Sequence, residues 1–157
     1  MPRVHHVKKA RKADRGNGIK KGESYYWWKF RYGGKCKSKT YPRPQQLTQS
    51  GFLMAVYDID DMKNQLTPSD TASGIEEALT AIKDAVETLK EECEGSFDNI
   101  PEQLQDTGSA GILLTERIDA LDSYYNDLDC IDVDEECKDE DELQEKIDEI
   151  QGCELEC

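Results

Sequence analysis

Histidine is nearly missing from this chain: His5 and His6 are its only 2, side by side near the start. General acid–base chemistry would therefore have to rest on carboxylates, and these sit in polar stretches with no apolar surround to perturb them. A phosphate-cradling glycine-rich loop ending in Lys-Ser/Thr, a His-Glu-x-x-His helix and a nucleophile elbow are also lacking. The chain reads as a non-enzyme. Long apolar runs are missing too. None approaches a membrane span, and the first residues lack the apolar core of a secretion signal, so a cytoplasmic protein is expected. Cys36, Cys93, Cys130, Cys137, Cys153 and Cys157 lack the close pairing of a zinc ribbon, which makes free thiols the simplest expectation. His5, His6 and Cys36 offer three metal ligands without an evident fourth, so neither metal nor cofactor is expected.

The most informative shortage is of charge of one sign. Residues 1–46 hold 14 Lys and Arg against 2 acids, whereas residues 47–157 hold 6 against 32. The formal net charge of −14 is thus the sum of a basic segment and a strongly acidic one. The first attracts polyanions; the second repels them and suits a basic partner.

Both tryptophans lie in the basic segment, in Tyr25-Tyr26-Trp27-Trp28-Lys29-Phe30-Arg31-Tyr32-Gly33-Gly34-Lys35-Cys36-Lys37-Ser38-Lys39-Thr40-Tyr41. Strand-forming aromatics interrupted by Gly-Gly, a pair able to take φ > 0 at both turn positions, predict a two-stranded hairpin. A two-residue loop would pair Tyr32 with Lys35, Phe30 with Lys37, Trp28 with Lys39 and Tyr26 with Tyr41 on one face. Tyr25, Trp27, Lys29 and Arg31 would then share the other with Cys36, Ser38 and Thr40. Rings alternating with lysines suit stacked bases beside phosphates. They equally suit a small aromatic core whose lysines protect an exposed edge. On the first reading Lys29, Arg31, Lys35, Lys37 and Lys39 contact phosphates, and Trp27 or Trp28 stacks.

The residues Tyr26–Lys35 with Ser38-Lys39-Thr40 resemble the strand-turn-strand of the small arm-binding DNA domains of phage tyrosine recombinases. They are more closely similar to short, uncharacterised phage-encoded proteins with the same hairpin. The resemblance covers roughly residues 1–50. It implies DNA contact and, for a phage-encoded chain, the host cytoplasm. It implies no strand cutting, because Tyr41-Pro42-Arg43-Pro44 stands where the recombinase domain continues into a helix and no catalytic region follows.

Residues 1–22 read as a basic arm, with too few apolar side chains to fold alone, whose Arg3, Lys8, Lys9, Arg11 and Lys12 would order along phosphates. The alternative is a solvated tail. Residues 23–46 form the hairpin and a stiff proline linker that neither continues a sheet nor starts a helix cleanly. Residues 47–157 predict an acidic helical bundle. Phe52, Val56, Ile59, Met62 and Leu66 mark a first helix after Ser50, stopped by Thr67-Pro68-Ser69-Asp70. Ile75, Leu79, Ile82, Val86, Leu89 and Cys93 mark a second, with Ser73 and Glu76 as its capping box and Gly95-Ser96 as its end. Phe97 to Gln105 is a connector with a helical turn from Pro101, expected to be plugged into the core by Phe97, Ile100 and Leu104. Leu114, Ile118, Leu121, Tyr125 and Leu128 mark an antiparallel third helix after Gly111, and Leu143, Ile147 and Ile150 a weaker fourth. The fold class is therefore mostly α: an antiparallel helical bundle with an N-terminal β-hairpin and basic arm.

Asp127, Asp129, Asp132 and Asp134 begin like an EF-hand loop, but Asp132 stands where glycine is needed and Lys138 where a bidentate Glu belongs. A solvated acidic loop is expected there. Two functions from different classes follow. One is a small nucleic-acid-binding accessory protein, with DNA favoured over RNA. The other is an acidic DNA mimic or anti-defence inhibitor occupying a basic groove on a host protein. Head-to-tail assembly is a third option. The acidic segment is expected to meet a basic surface, either its own arm or another protein's.

Overall fold

The structure, a computed structural model, describes residues 1–67, 71–133 and 140–155. Asp134, Lys138, Cys137 and Cys157, and Pro68-Ser69-Asp70 of the expected helix stop, lie outside them. The chain divides into two compact units, Met1–Tyr57 and Asp58–Cys157.

In the second unit the apolar seam folds as its spacing predicts. Helix α2 (Ala72–Asp98) buries Ile75, Leu79, Ile82, Val86, Leu89 and Cys93 in one stripe, while its acidic residues stay exposed. Steps of four and three keep one side of a 3.6-residue helix apolar, and that side has to be covered. Helix α4 (Ser109–Asp129) covers it with Leu121, Tyr124 and Leu128. The two run antiparallel: Lys83 reaches Asp129 at 3.0 Å and Lys90 reaches Asp122 at 2.5 Å, so residues advance along one helix as they retreat along the other. Half-exposed ion pairs of this kind add little beside the buried seam and serve mainly to fix register. Helix α5 (Glu140–Gly152) packs on α2 and buries Leu143, Ile147 and Ile150, the three residues that predicted it.

Helix α1 (Gly51–Asn64) begins after Ser50, whose hydroxyl accepts from the Leu53 amide at 3.4 Å. Its buried residues are Ile59 and, unexpectedly, Lys63. A buried ammonium needs partners. Lys63 Nζ donates to the Cys153 carbonyl just beyond α5, lies 3.7 Å from Asp60, and stands 5.3 Å from the Tyr124 ring centroid. A cation at a helix C-terminus also meets the negative end of its dipole. Gln151 returns the link, donating to the Lys63 carbonyl at 3.2 Å. The same buried surroundings push the Tyr124 hydroxyl pKa well up, desolvation being the main cause and Asp60 adding to it.

Several boundaries differ from the sequence expectation. The cap of α2 is Thr71, whose hydroxyl accepts from the Gly74 amide at 3.1 Å; Ser73 lies inside the helix. Starting there brings Ala72 into the buried stripe with Ile75. Gly95-Ser96 does not end α2: Ser96 Oγ donates to the Glu92 carbonyl and Asn99 Nδ2 to the Gly95 carbonyl, at 2.8 and 2.6 Å, which supports the last turn. Phe52, Val56 and Ile118 are half-buried rather than buried, and in α4 it is Tyr124, not Tyr125, that enters the core. A turn of helix α3 (Glu102–Gln105) follows Pro101 as expected, but Leu104 is exposed and Phe97 and Ile100 are only half-buried, so the connector is not plugged into the core by them.

Gly111 lies in the first turn of α4, buried directly against the Gln105 carbonyl at the end of α3. A Cβ there would collide with backbone, which cannot swing aside as a side chain can. Gly→Ala inside a helix is ordinarily stabilising by up to about 1 kcal/mol. Here the sign reverses. Gly111→Ala is expected to destabilise by roughly 1–3 kcal/mol through overpacking, read as a lower midpoint in urea denaturation; an unchanged or raised midpoint would refute the close α3–α4 approach.

The first unit is built on a sheet of three antiparallel strands, β1 (His5–Val7), β2 (Tyr25–Lys29) and β3 (Lys35–Ser38), with β2 central. Strand β1 lies where only an arm was expected, and it pairs His5, His6 and Val7 with Trp27, Tyr26 and Tyr25. Short edge pairing needs backbone groups rather than an apolar face, so composition gave it no signal.

The hairpin register also differs. Lys29 pairs with Lys35, Trp28 with Cys36, Trp27 with Lys37 and Tyr26 with Ser38, leaving a five-residue loop, Phe30–Gly34, in which neither glycine has positive φ. Relative to the expected pairing this is an odd-numbered slip, which moves every β3 side chain to the opposite face. Buried Trp28 and half-buried Tyr26 now share their face with small Cys36 and Ser38, while Lys35 and Lys37 join Tyr25, Trp27 and Lys29. That register keeps lysines away from the covered face. Tyr41 still meets Tyr26, edge-on at 5.5 Å rather than as a strand partner.

After the sheet, Pro42 is buried and Pro44 opens a short 3-10 helix, Pro44–Leu47. Proline suits a first helical turn, where its missing N–H is not needed. The Arg43 amide is satisfied by the Gln46 side chain at 3.1 Å. This segment is therefore part of the unit and starts a helical turn, contrary to the expected linker.

Candidate nucleic-acid interface

Between β1 and β2 the chain makes a tight excursion. The Asp14 and Ile19 amides and carbonyls pair at 2.8 and 2.9 Å, Gly18 takes φ 65°, and Gly22, at φ 91°, donates to the Ala10 carbonyl. Both glycines occupy backbone conformations that a Cβ disfavours. Asp14 accepts from the Asn17 amide and side chain, closing the turn. Ala10 and Ile19 are buried beneath it. The basic residues of this segment thus ride on an ordered loop.

The 2 acids among residues 1–46 are both engaged within the unit. Asp14 receives the Lys37 ammonium at 2.6 Å, and Glu23 receives Lys39 at 3.3 Å together with the Lys20 amide at 2.8 Å. The Lys37 hydrogen bond holds the Asp14 carboxyl below its ordinary pKa and raises that of Lys37 in return. The Lys20 amide, chiefly, lowers that of Glu23. Both acids therefore stay ionised at neutral pH with their charge spent locally. Lys37 and Lys39, expected on phosphates, tie β3 and the segment after it to the loop.

The remaining predicted basic residues present themselves differently. Arg3, Lys8, Lys9, Arg11, Lys12 and Lys29 are exposed. Arg31 is exposed in the hairpin loop, its guanidinium 5.3 Å from the Tyr32 ring centroid. Lys35 lies over the Trp27 ring at 4.3 Å. Lys9, Arg11, Lys12 and Arg15 line one open pocket of about 580 Å³ together with Tyr25, Val7, Ala10 and Ile19. The structure brings Lys9, Arg11 and Lys12 together there and leaves Arg3 and Arg31 elsewhere in the unit.

The aromatic residues of β2 divide sharply. Trp28 is 3% exposed, its Nε1 buried without a hydrogen-bond partner, and it belongs to the covered face. Trp27 stacks on His5 at 4.2 Å from the β1 side and carries Lys35 from the β3 side. Tyr26 is stacked by His6 at 4.7 Å and met by Tyr41. Tyr25 makes no ring contact among the described residues and lines the basic pocket.

Sequence reasoning counted Arg15 in the basic arm and Tyr25 in the hairpin without naming either as a site residue, and it gave the two acids no role. A signal for the loop was present: Asn17-Gly18 between Asp14 and Ile19 is a strong short-range turn marker. No group of three or more His, Cys, Asp or Glu placed to hold a metal occurs among the described residues. Asp127 and Asp129, from the EF-hand comparison, lie in the last turn of α4, where Asp129 receives Lys83. Cys36, Cys130 and Cys153 are free thiols. No helix among the described residues is long and apolar enough to cross a membrane. Searches against protein-family models, curated proteins and solved structures gave no match, which leaves the residues and their geometry as the basis for a functional reading.

Proposed function

We propose that the first unit binds nucleic acid, DNA in preference to RNA, as a non-enzymatic accessory protein of phage type acting in the cytoplasm. The observation that carries this reading is the disposition of charge: 14 Lys and Arg accompany 2 acids, and both acids are consumed by Lys37, Lys39 and a backbone amide. Arg3, Lys8, Lys9, Arg11, Lys12 and Lys29 remain outward, mounted on an ordered loop and sheet edge. Each phosphate neutralised by such a residue releases condensed counterions, so affinity falls steeply with salt. Titrating the full chain against duplex DNA, single-stranded DNA and RNA across a salt series tests it. Binding with a log–log salt slope of about −4 or steeper is expected for five or so contacts; absence of binding at low salt would sink the reading.

A second reading, a DNA mimic or inhibitor that occupies a basic groove on another protein, belongs to the acidic unit. It is favoured by an open pocket of about 770 Å³ lined by Glu116, Asp119, Asp127 and Glu154 beside Tyr124 and Gly152. Carboxylates so placed suit guanidinium and ammonium groups. Under this reading, a mixture of basic proteins competes more effectively for the full chain than DNA does.

A further inference from the structure

We infer that the pocket bounded by the loop 9–15 and Tyr25 receives a single unstacked nucleotide, with its base against Tyr25 and its phosphate on the basic rim. This rests on the nucleic-acid reading and adds a specific site to it. Tracking a phosphate backbone requires only exposed lysines and arginines. It does not require a concavity with apolar and aromatic residues in its lining, and this pocket has both.

Its volume of about 580 Å³ falls in the range of small-ligand pockets, roughly 300–1,000 Å³. That is room for one nucleotide. Val7, Ala10 and Ile19 supply apolar lining, and Ala10 and Ile19 are themselves buried. Of the four consecutive aromatic residues of β2, three are already covered: Trp28 by the core, Trp27 by His5 and Lys35, Tyr26 by His6 and Tyr41. Tyr25 is the one whose ring faces the basic residues without another ring against it. Stacking is tolerant of base identity because every base has a π-face. The carboxylate in the pocket, Asp14, would repel a phosphate if left alone. Lys37 neutralises it at 2.6 Å, so the rim of Lys9, Arg11, Lys12 and Arg15 dominates the field.

The test compares the full chain's affinity for a blunt DNA duplex with that for the same duplex carrying one unpaired terminal nucleotide, by fluorescence anisotropy at fixed salt. The extra nucleotide is expected to tighten binding about tenfold, in the range that one base–aromatic stack supplies. Tyr25→Leu should abolish the preference and Tyr25→Phe should keep it. Equal affinity of the unmodified chain for the two duplexes overturns the pocket proposal while leaving the nucleic-acid reading in place. So does a preference that survives Tyr25→Leu. Failure to bind either duplex removes the underlying reading itself.

Discussion

Leu89→Asp is expected to abolish the cooperative melt of the helical unit and most of the helical circular dichroism. Leu89 is 3% exposed in the middle of the α2 stripe, where its neighbours are the apolar residues of that helix and its packing partners. A carboxylate placed there loses its hydration without a designed partner and costs on the order of several kcal/mol. The whole stability of a domain this size is about 5–15 kcal/mol, so one such change takes most of it. Leu89→Met, which keeps volume and polarity nearly constant, should cost less than about 1.5 kcal/mol. A melt for Leu89→Asp that matches the unmodified chain would mean α2 is not the core helix.

The second large effect is on binding. Replacing Arg11, Lys12 and Arg15 together by Gln removes three of the four cations on the pocket rim and leaves the buried Ala10 and Ile19 in place. If all three contact phosphates of a duplex, the log–log salt slope should fall by about 2.7 units, since each contact contributes roughly 0.9. Affinity at low salt should drop by at least about a hundredfold, while the thermal midpoint stays near that of the unmodified chain because exposed charges add little to stability. Replacing Lys37 and Lys39 should behave in the opposite way, loosening the loop through Asp14 and Glu23 with a smaller change in slope. A triple variant with unchanged slope would show that the phosphates lie elsewhere.

The helical unit was legible because its signal is periodic. Ile75 through Cys93, and Leu143, Ile147 and Ile150, repeat at helical spacing over several turns, and burial follows that spacing wherever a partner helix covers it. Lys63 was not legible, since its burial depends on the Cys153 carbonyl, which is distant in sequence. The sheet was half legible. Aromatic density pointed to β2, but the register turned on whether Gly33-Gly34 formed the whole loop, and a slip of odd length reassigns every face. The lysines of β3 consequently keep their place in the unit but change roles: Lys35 covers Trp27, and Lys37 neutralises Asp14. Pairing of β1 with β2 depends on backbone hydrogen bonds, which leave no trace in composition. The concentration of basic charge in the first 46 residues, by contrast, needed no structure to be seen.

The central claim is that the basic unit is the nucleic-acid surface. The most direct measurement is an amide chemical-shift titration of the isotope-labelled full chain with a short DNA duplex at low salt. The account predicts saturable shifts at residues 7–19, at Tyr25 and Lys29, and around Lys35, with α2, α4 and α5 unaffected. Shifts confined to α2, α4 and α5, or none at any DNA concentration, would contradict it.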